Sequence, residues 1–293
     1  MYGKILVPLD GSDLAEQVFP SVVQLAWAFS SELILIQVCE PEEKEQKQAC
    51  QLYINNEAEQ LKAGLVSSSA SAKAMILEGK ADEQILKYAK KNNVKLIIMS
   101  SHGRSGIAPW SLGSTITRVL QKTGTPLIVV RAREMAGRQD GGKIFHRILM
   151  PLDGSERGAR VLPYVVELTK KVESEVILLQ VVESGRHIHT IGGLNYIRFE
   201  DRDVEPMKAI AKEYLAGIGS EFAGTKAKVI SEVRTGEAAR EIIKLAAESD
   251  SSLIALSSHG HSGVEAWFQG SVTYKIIQAS KQSVMLAPSP EMR

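Results

Sequence analysis

Two loops of the 293-residue chain carry the residue types and spacing that could do chemistry. SSHGRSGIAPWSLGS, Ser100 to Ser114, returns as SSHGHSGVEAWFQGS, Ser257 to Ser271, with the same spacing from the glycine after histidine to a Gly-Ser pair. Gly103, Gly106 and Gly113 let backbone approach a ligand closely. Behind them GSTITRVLQKTG predicts a helix that gathers Ile116, Val119 and Leu120 on one face, which puts Gly113, Ser114 and Thr115 at its N-terminus. Backbone N–H groups without helical partners, joined by two hydroxyls, form an anion site there, suited to phosphate oxygens or to a water of a bound Mg²⁺. A serine N-cap behind a surface loop is the plainer reading of the same residues.

Asp10 and Asp153 are the second candidates. Each follows a short apolar run, KILVPL or RILMPL, and precedes Gly-Ser. A carboxylate at the carboxyl end of a buried strand faces the crevice where α/β proteins bind ligands, and it can accept from an adenine amine or ribose hydroxyls. Asp-Gly-Ser is equally good turn chemistry, with Ser12 or Asp13 capping the next helix.

Other chemistries fail on the residues. Gly79-Lys80 and Gly142-Lys143 lead to Ala81 and Ile144, so no GxxxxGK[ST] loop exists. GHSGV at Gly260–Val264 has Val264 where a nucleophile elbow needs glycine, and the first copy has Ile107 there. His102 and His259 lack an acidic orienter in sequence and read as hydrogen-bonded loop residues. His187 and His189 have no further ligands at metal spacing, so no metal site is expected of them.

The elements that must position these loops come in duplicate. Lys4–Asp13, KILVPLDGSD, recurs as RILMPLDGSE 143 residues later; Gly79 and Ser100 recur as Gly236 and Ser257, 157 residues later, so the second copy carries 14 extra residues after its second strand. Units this long bury their own cores, which makes two domains rather than a solenoid. They are expected at 1–133 and 144–293, with a linker at 134–143 that overlaps the charged, glycine-containing run Arg131–Gly142. In each copy four apolar runs of strand length alternate with helical segments: KILVPL, ELILIQV, KLIIMS and PLIVVR, then RILMPL, EVILLQV, SLIALS and SVMLAP. Leu14, Val18, Val22, Leu25 and Phe29 form one helical stripe, and Ala238, Ile242 and Leu245 another; Pro20 and Pro163 predict kinks in the first helix of each copy. The fold class expected is α/β: two tandem doubly wound, Rossmann-like parallel sheets with helices on both faces.

Bulk properties limit the partners. With 35 Lys and Arg against 34 Asp and Glu, the net charge of +1 gives no global field for nucleic acid or an anionic membrane. No apolar run approaches the ~18 residues that span a bilayer, and the start of the chain has no signal-peptide pattern. Cys39 and Cys50 suit neither a disulfide framework nor a zinc ribbon, so a reducing, cytoplasmic setting is expected.

Together PLDGS, SSHG and the Gly-Ser pair resemble the universal stress protein family over nearly the whole chain. Its nucleotide-binding members carry Gly, two residues, Gly, nine residues, then Gly followed by Ser or Thr. The matching stretches are Ser100, Gly103, RSGIAPWSL, Gly113 and Ser114, then Ser257, Gly260, HSGVEAWFQ, Gly270 and Ser271, with serine replacing the first glycine in both. The resemblance implies an adenine nucleotide alpha hydrolase-like fold and ATP as ligand, with Mg²⁺. It puts Pro8, Asp10 and Val38 at the adenosine, Met99 and Ser100 at the ribose, and Gly103, Gly113, Ser114 and Thr115 at the phosphates, beside the cation Arg104. The second copy would use Pro151, Asp153, Val181, Leu256, Ser257, Gly260, Gly270, Ser271 and Val272. The second loop has His261 in place of that arginine and the acid Glu265, which would oppose a polyphosphate, so if only one site is filled the first is expected. Trp110 and Trp267 read as packing residues. Family members dimerise through their last strands, here Leu127–Arg131 and Ser283–Ala287, which implies an intrachain pseudo-dimer of the two domains and leaves a homodimer open. The function implied is a nucleotide-dependent stress or signalling module with at most slow hydrolysis. The alternative is an adaptor that binds no nucleotide and acts through protein partners.

Overall fold

Ile5, Leu6 and Val7 are fully buried, as are Leu33, Ile34, Leu35 and Ile36 in the next run, the condition of strands covered on both faces. In the computed structural model, which describes residues 1–39, 44–66, 68–104, 106, 112–132, 144–183, 204–257 and 272–288, these runs become β1 (Lys4–Leu9) and β2 (Glu32–Cys39), paired in parallel from Lys4↔Glu32 to Leu9↔Gln37. The chain divides into a unit of Met1–His146 with Lys281–Arg293 and a unit of Arg147–Ser280.

In the first unit β3 (Ser71–Glu78) joins β2, and β4 (Leu96–Ser100) and β5 (Leu127–Val130) add on the other side of β1, all parallel. The order β3-β2-β1-β4-β5 reverses between β1 and β4, and at that reversal the loops leaving two adjacent strands diverge and open a crevice. One strand departs from the parallel pattern: β10 (Ser283–Ala287), from the end of the chain, lies antiparallel beside β5 in the register Met285↔Ile128. Ser283 Oγ accepts from Arg131 N at 3.1 Å and fixes that register. The second unit repeats the core with β6 (Arg147–Leu152), β7 (Ser174–Val182), β8 (Ala227–Thr235) and β9 (Leu253–Ser257), in the order β9-β6-β7-β8.

Right-handed crossovers place α1 (Asp13–Glu16), α2 (Phe19–Phe29) and α3 (Lys44–Gly64) on one face of the first sheet, and α4 (Ala81–Lys91) and α5 (Ser114–Lys122) on the other. The predicted stripe is buried at Val18, Val22 and Leu25, while Leu14 and Phe29 are half-buried. The kink expected at Pro20 is instead a break. The helix stops at Glu16 and restarts at Phe19, placing Pro20 in a first turn, where its missing N–H costs nothing. Pro163 does the same in α6 (Leu162–Thr169), which follows a 3-10 turn at Gly158–Val161. Helices α7 (Val204–Ser220), α8 (Ala238–Glu248) and α9 (Val272–Ala279) complete the second unit, and α8 buries Ile242 and Leu245 of the predicted stripe. Among the described residues no helix is long and apolar enough to cross a membrane.

Candidate functional site

The reversal between β1 and β4 opens a cleft of about 190 Å³, more than ten times the ~10–15 Å³ one water requires. Pro8, Asp10, Val38, Met99, Ser100, Gly103, Arg104, Gly113, Ser114 and Thr115 all line it, which brings together every site residue expected of the first copy. Their positions follow from the elements. Pro8 lies near the end of β1 and Asp10 directly after it, Val38 lies near the end of β2, Met99 and Ser100 end β4, and Gly113 caps α5.

Asp10 ties the two sides of the cleft together. Its Oδ1 accepts from Ser12 N at 3.1 Å and Ser12 Oγ at 2.6 Å, and its Oδ2 accepts from Arg104 N at 2.8 Å across the crevice. The plainer reading of Asp-Gly-Ser therefore holds as well: Ser12 Oγ accepts from Ala15 N at 3.2 Å as the N-cap of α1, while Gly11, at φ +80°, takes the left-handed turn position. The bond to Arg104 also explains Gly103. A Cβ there would fall 1.9 Å from Asp10 Oδ2, so only glycine lets the carboxylate reach the loop. The hydroxyl of Ser100 accepts from His102 N at 3.4 Å, a weak local bond at the cleft edge.

Ser101, which is fully buried, knots the far wall. Its N–H donates to Val130 O at 2.8 Å, its carbonyl accepts from Gly113 N at 3.0 Å, and its hydroxyl accepts from Ala132 N at 3.0 Å and meets His102 Nδ1 at 3.0 Å. The start of α5 is thereby held against the ends of β4 and β5, and its first N–H groups, free of helical partners by construction, open toward the cleft. His102 is a buried, hydrogen-bonded loop residue, as expected.

The opposite wall is apolar. Ile36 shares a strand face with Val38, and Ala81 and Ile85 stand one turn apart on α4; with Met99 and Ile116 they line this wall with apolar side chains. The sequence reading missed Ile36, Ala81, Ile85, Ser101 and Ile116 as site residues. The two-residue period back from Val38 pointed to Ile36, whereas only the fold brings α4 to this wall. Arg104 is exposed at the mouth, with Nη2 3.1 Å from where a Gly11 Cβ would stand. Behind Asp10, Tyr53 Oη donates to Glu16 Oε1 at 2.9 Å. Burial, then the Glu16 bond and charge, pushes the Tyr53 phenol up; burial and then the Glu16 charge push the Glu57 carboxyl up. Among the described residues no cluster of three or more His, Cys, Asp or Glu is arranged to hold a metal.

The second unit treats the corresponding residues differently. Asp153 Oδ1 accepts from Ser155 N at 3.0 Å and Ser155 Oγ at 2.6 Å, as in the first unit. Ser257, the counterpart of Ser100, is buried and donates its hydroxyl to Gly158 O at 2.7 Å while accepting from Val161 N at 3.1 Å. The end of β9 is thus bonded directly to the 3-10 turn. A Cβ on Gly158 would lie 2.1 Å from Asp153 Oδ1, so this approach too needs glycine. Pro151 lies in β6, Val181 in β7, Leu256 is buried in β9, and Val272 opens α9. Gly260, Gly270 and Ser271, with His259, His261, Glu265, Trp267, Trp110, His187 and His189, lie outside the described residues.

Fold and cleft define a class: tandem doubly wound α/β units, of which the first opens a cleft at its strand reversal. The chain belongs to the universal stress protein family, whose model matches residues 1–131 and again 144–288. It is 30% identical over 148 residues to universal stress protein YxiE of Bacillus subtilis, covering 49% of this chain and 99% of that one. It is 27% identical over 157 residues to universal stress protein MJ0577 of Methanocaldococcus jannaschii, covering 45% of this chain and 97% of that one. Each relative thus corresponds in length to one of the two repeats. The crystal structure of a universal stress protein from Archaeoglobus fulgidus shares the fold along the chain, with a TM-score of 0.72, 19% identity, and coverage of 98% of this chain and 99% of that one.

Proposed function

We propose that the first unit binds one ATP per chain and that the protein acts as a nucleotide-dependent stress-response module rather than through turnover. The observation that carries this reading is the convergence in one cleft of an apolar wall, an aspartate at a strand end, and a glycine-capped helix N-terminus beside an exposed arginine. The adenine would lie between Val38, Ile36 and Ile85, and the ribose against Asp10 and Ser100. The phosphates would meet Gly103, the N–H groups of Ser114 and Thr115, and Arg104. Mg²⁺, where present, would be carried by the phosphates with water and a Ser114 or Thr115 hydroxyl, since its preference for oxygen and retained water asks for no protein cage.

The engaged Ser257 hydroxyl supports a single site. Nucleotide binding in the second unit would first have to break two buried hydrogen bonds that join β9 to the Gly158–Val161 turn. Mass spectrometry of ligand released from the purified full chain, followed by titration of the stripped protein with Mg-ATP, tests the proposal. Recovered adenine nucleotide and a saturable stoichiometry near one per chain are expected. No heat and no thermal stabilisation at millimolar Mg-ATP would overturn it in favour of the adaptor reading.

A further inference from the structure

Cys39 and Cys50 are the two cysteines of the chain, and they lie on facing elements. Cys39 is the last residue of β2, next to cleft-lining Val38 but on the opposite sheet face, and its carbonyl is held by Gly79 N at 3.2 Å. Cys50 lies on α3, which packs over that face, one turn after Lys47, and Lys47 pairs with Glu78, the cross-strand neighbour of Cys39. Both residues are buried, at 6% and 8% exposure, close beneath the surface at the rim of the sheet. The Lys47–Glu78 pair anchors this part of α3 beside the strand ends. The second repeat has Val182 where the first has Cys39, so the arrangement belongs to the first unit alone.

We propose that Cys39 and Cys50 are a peroxide-oxidisable dithiol whose disulfide staples the end of β2 to α3 behind the nucleotide cleft. The chemistry balances with hydrogen peroxide as oxidant. The Cys50 thiolate attacks one peroxide oxygen, the O–O bond breaks, and the products are a sulfenic acid and a hydroxide that takes up a proton as water. The Cys39 sulfur then attacks the sulfenic sulfur, the S–S bond forms, and the second oxygen leaves with the Cys39 proton as a second water. Two thiols lose two electrons and one peroxide gains them. Burial, then its contacts with Cys50, pushes the Cys39 thiol up to about 12, against the pull of Arg104, which assigns Cys39 the resolving step.

The disulfide fixes the two sulfurs about 2 Å apart and draws the strand end toward α3, away from the adenine slot on the other face. This coupling rests on the nucleotide proposal; the staple itself does not. The test treats the reduced full chain with equimolar hydrogen peroxide, blocks remaining thiols with N-ethylmaleimide, and measures intact mass, unfolding temperature and Mg-ATP affinity. The expected product is monomeric, 2 Da lighter, unalkylated, restored by dithiothreitol, unfolds several degrees higher, and binds Mg-ATP at least threefold more weakly. Cys39→Ser and Cys50→Ser should show none of these changes. Thiols that stay alkylatable, sulfinic acid in place of a disulfide, or chain-to-chain crosslinking would overturn the staple. A disulfide that leaves Mg-ATP affinity unchanged would overturn the coupling. If neither form binds Mg-ATP while the mass and stability changes appear, the nucleotide proposal fails and the staple stands.

Discussion

Replacing Gly103 with alanine should destabilise the first unit through a single carboxylate. The new Cβ would lie 1.9 Å from Asp10 Oδ2 and 2.9 Å from its Cγ, far inside contact distance, so carboxylate or loop must move. Either movement loses the 2.8 Å bond from Arg104 N, a hydrogen bond to a charged group worth about 1.5–3 kcal/mol, here at the low end because the site is partly exposed. Residual overpacking adds roughly 1–3 kcal/mol. The sum, about 3 kcal/mol, corresponds to a fall of roughly 6–12 °C in the unfolding temperature of a domain this size. Gly113→Ala is the control: φ is −56° and the nearest atom to its Cβ is Ser101 O at 3.6 Å, so it should cost under ~1 kcal/mol. A denaturant-unfolding double-mutant cycle with Asp10→Ala isolates the cause. With the carboxylate gone, Gly103→Ala should become nearly neutral; costs that add within about 0.5 kcal/mol would refute the reasoning.

Other consequences follow from the same contacts. Ser257→Ala leaves Gly158 O and Val161 N without their buried partner and should cost about 1–3 kcal/mol in denaturant melts, against under ~0.5 kcal/mol for Ser100→Ala, whose bond is long and local. Ser12→Ala should cost about 1 kcal/mol by removing the α1 N-cap. The acid limb should separate two glutamates. Glu32 is held below its ordinary value by its Lys73 hydrogen bond, so its stabilisation is present above the unfolded carboxyl pKa of ~4.3 and lost as pH falls through its lower folded value. Glu57 is pushed up by burial, so its contribution is full below ~4.3 and lost as pH rises through its higher folded value. In melts from pH 3 to 8, Glu32→Gln should therefore be less stable than wild type at neutral pH and Glu57→Gln more stable. Both differences should shrink toward low pH.

The parts of the fold that were legible in the sequence were those buried on both sides. KILVPL, RILMPL and the other apolar runs became β1, β2, β4 to β7, β9 and β10, because a central parallel strand leaves a continuous apolar record. β3 and β8 went unrecognised: SAKAMILE and AKVISEVRT consist almost wholly of exposed and half-buried positions, and their lysines and glutamates obscure the apolar face. Pro20 was visible, but whether it kinks or starts a helix depends on where the preceding turn ends, and that turn ends at Glu16, with Gln17 as its C-cap. In the site, glycines and hydroxyls at fixed spacing marked the loop and helix start, and the repeat marked Asp10. That Gly103 is required by Asp10, 93 positions earlier in the chain, and that α4 supplies a wall, are consequences of β1 and β4 being neighbours. The inequality of the two repeats was read from Arg104 against His261 and Glu265, whereas the described difference lies in the Ser257 hydroxyl.

Calorimetric titration of stripped full-length protein and of Arg104→Glu with Mg-ATP tests the central claim most directly. Arg104 is exposed at the cleft mouth, so reversing its charge should leave the unfolding temperature of the nucleotide-free protein within about 1 °C. The account predicts close to one Mg-ATP per wild-type chain and at least tenfold weaker binding to the variant. Equal affinity in the two proteins, or two equivalent sites per chain, would contradict it.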